Sequence, residues 1–136
     1  MNDRRLIRAA MLLALIGNAV PTLAQDSIPS NPLRGQPAVI EAGRALFNAN
    51  CARCHGTDAA AFPAGGPDLR RLDAYCRRVE PGSLRDLCRR DNDAYFLGSV
   101  LHGKTRVGVE HMPAWEGVLQ RDEIWSIRSW LETRMQ

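Results

Sequence analysis

Aromatic side chains are scarce in this sequence, at 6% of its 136 residues, and no stretch alternates apolar and polar residues over a useful strand length. The second absence argues against a β-rich fold, and the length allows one domain rather than two. A single domain with so few aromatic residues has a thin apolar core. A bound group that fills the centre of the domain would account for this deficit.

A strong charge of one sign is also missing, because 18 basic and 15 acidic side chains give a formal net charge of +3. This charge is too small to indicate binding to nucleic acid, so no such partner is predicted. The charge is uneven, however, with seven Arg against three acidic residues between positions 70 and 90. This excess fits either a surface that steers an acidic partner or an ordinary solvated helical face.

Long hydrophobic runs are absent too. The apolar run at 9–20 is shorter than the roughly 20 residues that a membrane-spanning helix needs. Because Arg4, Arg5 and Arg8 precede this run and small residues follow it, residues 1–24 are predicted to be a cleaved secretory signal peptide. We therefore expect a periplasmic protein without stable insertion into the membrane.

The remaining chain divides near position 38. Residues 25–37 contain three Pro and one Gly, which predicts an extended N-terminal arm, and residues 38–136 are predicted to form the domain. Apolar spacing predicts helices at 38–50, 69–77, 83–100 (continuous or broken near 91–93) and 122–133, with a glycine-punctuated loop at 103–119. The expected fold class is all-α.

The motif that carries the chemistry is C-x-x-C-H, formed by Cys51, Cys54 and His55, which signals covalent haem attachment. At the end of a helix, two thiols at this spacing can reach both vinyl groups of one porphyrin, while the following imidazole meets the iron. A zinc site that also used Cys76 and Cys88 would lack the second short C-x-x-C pair. A thioredoxin-like redox pair would lack the preceding strand. A simple disulfide would leave the histidine unexplained.

A second axial ligand is needed unless the iron stays open. Met112 is the best-placed thioether, because two of the four Met lie in the predicted signal peptide and Met135 lies at the C-terminal end. Pro113 stiffens the backbone beside it, and His–Met ligation raises the reduction potential towards that of electron carriers. His111 and His102 are rival ligands, and an open iron is the remaining alternative.

Three more residues are predicted around the haem. The carbonyl of Pro67 can accept a hydrogen bond from His55, because a ligating histidine normally donates its other ring nitrogen. Leu69 can cover the haem edge, and Trp115 can donate its indole N–H to a propionate, with Lys104 and Arg106 as charge partners. The alternatives are an ordinary turn at 66–69 and a purely packing role for the tryptophan.

With these residues the chain resembles a class I cytochrome c over positions 38–134. The resemblance rests on Gly43, Phe47, the C-x-x-C-H motif, Gly66-Pro67-Asp68-Leu69, Met112-Pro113 and Trp130. It implies short helices wrapped around one covalently bound haem c, with His55 and Met112 as axial ligands and Pro67 accepting from the histidine. It also implies that the first and last helices cross at the glycine, beside an aromatic of the last helix.

A narrower likeness is to periplasmic PedF-type cytochromes, which accept electrons from quinoprotein (pyrroloquinoline quinone-dependent) alcohol dehydrogenases. It rests on Tyr95-Phe96, 102–104, 107–119, Cys76 and Cys88. This likeness implies such a dehydrogenase as donor, with a terminal oxidase or another cytochrome as acceptor. Because the protein is expected to supply both axial ligands, no substrate would bind the iron, and the chain is predicted to be a monomeric one-electron carrier rather than an enzyme. Two alternatives stay open: a gas sensor or peroxidase in which Met112 dissociates, and a bound subunit of another redox complex.

Cys76 and Cys88 depart from the basic pattern of that family. In an oxidising compartment two spare cysteines are expected to pair. The alternative is a pair of free thiols, which would invite mispairing with Cys51 or Cys54 during maturation.

Overall fold

The computed structural model describes residues 28–61 and 65–136, so the predicted signal peptide lies outside the described residues. The described chain forms helices α1 (Pro37–Asn50), α2 (Ala52–His55), α3 (Ser83–His102) and α4 (Arg121–Thr133), strands β1 (Lys104–Arg106) and β2 (Val109–Met112), and short 3-10 helices at Thr57–Ala59, Leu69–Arg71 and Cys76–Arg78. This mostly helical architecture confirms the predicted fold class. In the part of the chain that the structure describes, no helix is both long and apolar enough to cross a membrane.

The two terminal helices begin at residues suited to that position. Pro37 is the first residue of α1, where its missing N–H costs no hydrogen bond. Before α4, the backbone N–H of Gln120 donates to Glu123 at 2.8 Å, and Asp122 adds a second acidic side chain to the first turn. These carboxylates lie at the positive end of the helix dipole. Both helices were predicted to within one residue at their N-termini.

Helices α1 and α4 cross in direct backbone contact. A Cβ atom added at Gly43 would overlap the backbone carbonyl of Ser126 on α4, so only glycine permits this approach. One turn along α1, the ring of Phe47 lies 4.7 Å from that of Trp130, centroid to centroid, and both side chains are buried. The helix crossing that the resemblance implied is therefore confirmed. Packing of aromatic rings at this distance adds to the hydrophobic stabilisation.

The predicted helix at 69–77 is wrong, because two short 3-10 helices separated by a turn occupy this segment. Side-chain partners explain the interruption. Asp73, in the turn, points inwards to an arginine of α4, and Cys76 forms a disulfide with Cys88 of α3, with 5.6 Å between their Cα atoms. The disulfide prediction is thus confirmed, and the pair links this segment to α3.

Helix α3 runs without a break through 91–93. The side chain of Asn92 donates to the carbonyl of Leu72 at 3.0 Å, in another segment, and so does not compete for its own helix backbone. Asp93 is completely buried and binds Arg128 of α4, with 2.9 Å between Oδ1 and Nε. The polar residues that favoured a break are therefore held by tertiary partners.

The predicted loop at 103–119 contains the antiparallel hairpin of β1 and β2. Lys104 pairs with Met112 and Arg106 pairs with Val109 across the two strands. The strands have only three and four residues. Their alternation is too short to stand out in the sequence, which explains why the segment was predicted to be a loop.

A buried charge cluster joins three parts of the chain. Arg128 of α4 is fully buried and donates to Asp73 at 2.8 and 3.0 Å as well as to Asp93. The other oxygen of Asp93 accepts from the backbone N–H of Asn31 at 2.9 Å and from Arg34. Because buried charges need partners, each member of the cluster depends on the others.

The described part of the arm is therefore packed against the domain, with a turn at 32–35. The side chain of Asn31 donates to Ser129 at 2.9 Å, and Arg34 forms a paired hydrogen bond with Glu132. Burial alone would lower the pKa of Arg34, but its bonds to the two carboxylates raise the pKa above its ordinary value. These contacts fix the arm along α4.

The arginine-rich stretch at 70–90 is partly engaged within the protein. Arg70 binds Asp68, with 2.9 Å between the charged atoms, and Arg85 donates to the carbonyl of Val79 at 2.7 Å. Arg89 lies 4.0 Å from Glu132. The uneven charge seen in the sequence therefore has a structural role in addition to its effect on the surface potential.

Candidate haem site

The two thiols of the motif lie where α1 gives way to α2. The backbone N–H of Cys51 still bonds to the carbonyl of Phe47 at 2.8 Å, and the chain then makes one further helical turn to His55. Cys51 is half-buried, Cys54 is exposed, and both are free thiols. Burial, with a smaller contribution from Cys54, raises the pKa of Cys51 to about 11, so this thiol is neutral at neutral pH.

His55 is oriented through one of its ring nitrogens. Nδ1 lies 3.1 Å from the carbonyl oxygen of Pro67, the contact expected from the sequence. When Nδ1 donates this bond, Nε2 is left as the ligating atom. A hydrogen bond of this kind also limits rotation of the ring. The imidazole is therefore held in one tautomer, with its second nitrogen available to a metal.

The loop that carries this acceptor is tied to the motif by its own backbone. Gly66 donates its N–H to the carbonyl of Cys54 at 2.8 Å. A Cβ atom at Gly66 would overlap that carbonyl and lie 3.1 Å from Nδ1 of His55. A residue without a side chain is therefore required here if the imidazole is to reach Pro67.

Asp68 stabilises the same loop. Its carboxylate accepts from the backbone N–H of Arg70 at 3.0 Å and from the Arg70 guanidinium at 3.0 and 2.9 Å. These hydrogen bonds hold the pKa of Asp68 below its ordinary value. Residues 66–70 thus form a turn that Asp68 stabilises and that places the Pro67 carbonyl beside His55.

Met112 ends β2 and is half-buried, with its side chain packed against the hydrophobic core. His111 is exposed and has no partner across the hairpin, because the register passes from Glu110 to Met112 through a bulge. His102, the other rival ligand, is exposed and lies 3.9 Å from Glu116. The geometry therefore favours the thioether over both histidines.

The segment that presents Met112 is attached to the C-terminal end of α3. Trp115 and Glu116 donate their backbone N–H groups to the carbonyls of Val100 and Leu101, at 2.9 and 3.2 Å. Sequence reasoning missed a further contributor, Gly103, because the only signal at that position was a break in a helix.

Gly103 has φ of +66° and faces the backbone of the Met112 segment. A Cβ atom here would overlap the carbonyl of Met112 and lie 2.8 Å from the N of Ala114 and from the carbonyl carbon of Pro113. Real Cβ atoms do not occupy such positions, and this φ is itself unfavourable for other residues. Glycine at this position allows the ligand segment to lie against the end of the helix.

Leu69 and Trp115, predicted to contact the haem, are partly buried and pack against the same core cluster as Met112 and Cys51. The structure thus brings these four side chains to one apolar region. For Trp115 this packing is also compatible with the alternative of a core residue. Pro67 is exposed and contributes its carbonyl rather than its ring.

The alternatives to haem fit the residues less well. Cys76 and Cys88 are bonded to each other and cannot complete a zinc site with the motif cysteines. Within 28–61 and 65–136, no group of three or more His, Cys, Asp or Glu is arranged to hold a metal ion.

Met135, the other thioether considered from the sequence, packs on the core although it lies near the C-terminal end. It lines a cavity of about 210 Å³ beside Cys76.

The donor set matches the requirements of a haem c. It consists of two free thiols three positions apart, an imidazole whose Nδ1 is already hydrogen-bonded, and a thioether in an apolar setting. When bound, such a group supplies one-electron chemistry at its iron.

Comparisons with known proteins show the family of this chain. Residues 38–131 match the family described as "Cytochrome C oxidase, cbb3-type, subunit III". Cytochrome c550 from Pseudomonas aeruginosa is 34% identical over 117 residues, which cover 82% of this chain and 69% of that protein. The chain therefore belongs to the cytochrome c family. Membership implies a haem c and the role of a single-domain electron carrier.

Two further relatives match over smaller shares of their own length. Lupanine 17-hydroxylase [cytochrome c] from a Pseudomonas species is 40% identical over 78 residues, which cover 54% of this chain and 11% of that protein. Cytochrome CL from Methylophaga aminisulfidivorans aligns with a TM-score of 0.53 at 21% identity, over 76% of this chain and 58% of that one. The second match supports the fold alone.

Proposed function

We propose that this protein is a periplasmic cytochrome with a single haem c, which accepts electrons from a quinoprotein alcohol dehydrogenase and passes them to a terminal oxidase or another cytochrome. Cys51 and Cys54 would hold the haem through thioether bonds, formed when each S–H adds across a vinyl group. His55 and Met112 would be the axial ligands.

The observation that carries this proposal is the hydrogen bond of His55 to Pro67, together with the apolar packing of Met112 on the core. The first arrangement would leave one nitrogen of the imidazole available to the iron, and the second would offer a neutral thioether as the other ligand. Because both axial positions are then filled by the protein, no substrate needs to bind the iron. A charge-neutral apolar setting also favours the less charged, reduced state.

The choice of donor rests on the narrower sequence likeness. That likeness includes the hairpin region at 107–119 and the disulfide between Cys76 and Cys88, which the basic family pattern lacks. A relative named for lupanine hydroxylation indicates that a similar module can serve an oxidising enzyme. The reduced quinone of a dehydrogenase would release two protons and two electrons, and each electron would reduce one cytochrome molecule.

The arm favours a free carrier over a bound subunit. Asn31 and Arg34 use their side chains on Ser129, Glu132 and Asp93 of the same chain. These groups are thus already occupied and are not free to hold a partner. We therefore propose a monomer that docks transiently.

The direct test uses the protein produced with native haem maturation in a bacterial periplasm. The purified protein should contain one haem per chain, and a quinoprotein alcohol dehydrogenase supplied with its alcohol should reduce it. Carbon monoxide added to the reduced protein should leave the spectrum unchanged, because Met112 fills the sixth position. Prompt carbon monoxide binding would instead favour a gas sensor or peroxidase, and a lack of reduction would rule out this donor.

A further inference from the structure

The tip of the hairpin between β1 and β2 has an unusual residue for its conformation. Val107 and Gly108 both have positive φ, +50° and +74°, which is the backbone of a two-residue type I′ turn. Asn, Asp and Gly are favoured at its first position, whereas a β-branched residue with positive φ is a genuine outlier. Folding alone would therefore select a different residue than valine here.

Burial does not explain the valine either. Val107 is 103% exposed, so none of the residues that the structure describes packs against its side chain. Two other valines nearby in sequence, Val109 at 59% and Val118 at 63%, are also largely exposed. The unfavourable φ, which the packing of the described chain does not compensate, points to a contact of this side chain with another molecule.

The position of this tip connects it with electron transfer. Val109 pairs with Arg106 next to the turn, and Met112, the proposed axial ligand, pairs with Lys104 at the base of the hairpin. Val107 follows Lys104, the partner of Met112, by three residues, and three residues along a strand span about 10 Å. The tip therefore lies about 10 Å along the hairpin from the proposed ligand. A protein that binds the tip would therefore lie beside the proposed haem site.

The charges around the tip define the partner surface. The Lys104 ammonium lies 4.3 Å from the centroid of the Tyr95 ring and is engaged there. Arg106 is exposed, and no carboxylate of the described residues lies within salt-bridge distance of it. The tip thus combines an apolar side chain with one adjacent cation, Arg106, while the exposed Glu110 lies one strand pair further from the turn. Its complement is an apolar depression with a carboxylate on the side of Arg106.

We propose that Val107 anchors the docking of the electron donor, inserting into an apolar depression on the dehydrogenase while Arg106 faces a carboxylate at its border. This inference rests on the proposed function, because it takes the quinoprotein dehydrogenase as the partner. It assigns the hairpin a recognition role in addition to presenting Met112.

The test is the substitution Val107→Asn in the haem-loaded protein. Asparagine suits the positive φ, so the melting temperature should stay the same or rise. The second-order rate of reduction by the alcohol-reduced dehydrogenase should fall about tenfold, as for an anchor residue at an interface. Reduction by ascorbate, which needs no docking surface, should keep its rate.

A matched control is Leu84→Asn, which removes an apolar side chain that is 64% exposed in the first turn of α3. Leu84 and the hairpin are separated by the length of this helix, about 27 Å. The control should be reduced at the rate of the unmodified protein. Arg106→Gln should slow reduction and weaken its dependence on salt.

The outcomes separate the inference from the proposed function. If the dehydrogenase reduces the unmodified protein and Val107→Asn equally fast, the docking role is wrong and the donor stands. Equal slowing in Val107→Asn and Leu84→Asn would also overturn the docking role. If the dehydrogenase does not reduce the unmodified protein, both the donor and its docking site are wrong.

Discussion

Gly103 holds a position at which any side chain would collide with the segment that carries Met112. We predict that Gly103→Ala displaces this segment and weakens the bond between the thioether and the iron. The reduced variant should bind carbon monoxide promptly, and its reduction potential should fall by on the order of 0.1 V, well within the about 0.8 V that axial ligation spans. Absorption spectroscopy and a redox titration measure both effects.

Gly98 provides the matched control, because a Cβ atom there meets nothing within 4 Å and the residue lies in α3. Gly98→Ala should stabilise the protein by about 0.5–1 kcal/mol, the usual gain inside a helix. Its spectrum and potential should not change. If Gly103→Ala also keeps the unmodified spectrum, the packing of this segment does not control ligation.

Single substitutions can test whether Met112 or His111 is the second axial ligand. Met112→Ala should open the sixth position, giving rapid carbon monoxide binding and a lower potential. His111→Ala should change neither, because this side chain is exposed at the bulge of β2, whereas Met112 is half-buried. A spectral change in His111→Ala, with none in Met112→Ala, would reverse the assignment.

At the residue scale, the sequence predicted those features that depend on neighbouring positions. The spacing of Cys51, Cys54 and His55 is local, and its chemistry follows directly from it. The role of Gly103 depends on a contact with a segment nine or more residues away, which the sequence does not reveal. The partners of Arg128 are also distant, so the buried cluster was not predicted.

At the scale of elements, the disulfide joins the 3-10 helix Cys76–Arg78 to α3. Replacing both Cys76 and Cys88 by Ser should lower the free energy of unfolding by about 3 kcal/mol, the value for a loop of this size. Denaturant unfolding of the haem-loaded protein measures this loss. The haem spectrum should be unchanged, because neither cysteine belongs to the site.

Reduction of the disulfide in the unmodified protein is the corresponding control and should give a loss of similar size. If the double variant also loses the spectrum of His–Met ligation, α3 transmits the loss to the Met112 segment. An unchanged free energy of unfolding would show that the bond adds nothing to the other links between this segment and α3.

The elements that the sequence predicted well are those with a long apolar pattern and clear end signals. Helices α1 and α4 have both, and α4 has acidic residues in its first turn. The hairpin was missed because its strands are short and its turn lacks the usual Asn-Gly. The segment at 69–77 was predicted as one helix because side-chain partners elsewhere in the chain, not local pattern, decide where it turns.

At the scale of the whole molecule, Arg128 forms ion pairs with two carboxylates from different segments, Asp73 and Asp93. Arg128→Met would leave Asp73 and Asp93 without their shared cation in a buried setting. We predict a loss of about 3–5 kcal/mol in the free energy of unfolding, as for other broken buried ion pairs. Thermal and denaturant unfolding measure it.

Arg121→Met is the control for this prediction, because Arg121 is exposed at the start of the same helix. The same chemical change there should alter stability by no more than about 0.5 kcal/mol. Similar losses in the two variants would show that the burial of Arg128 is not what matters.

The way the arm lies against the helices has a practical consequence for anyone who produces this protein. A recombinant form cut back to the segment that matches the family, 38–131, would remove Asn31, Arg34 and Glu132 together. Asp93 would then keep Arg128 but lose its bonds to the arm. If such a shortened protein expresses poorly or has a low melting temperature, we expect the cause to be the lost hydrogen bonds of Asp93 to Asn31 and Arg34, rather than a defect in haem insertion.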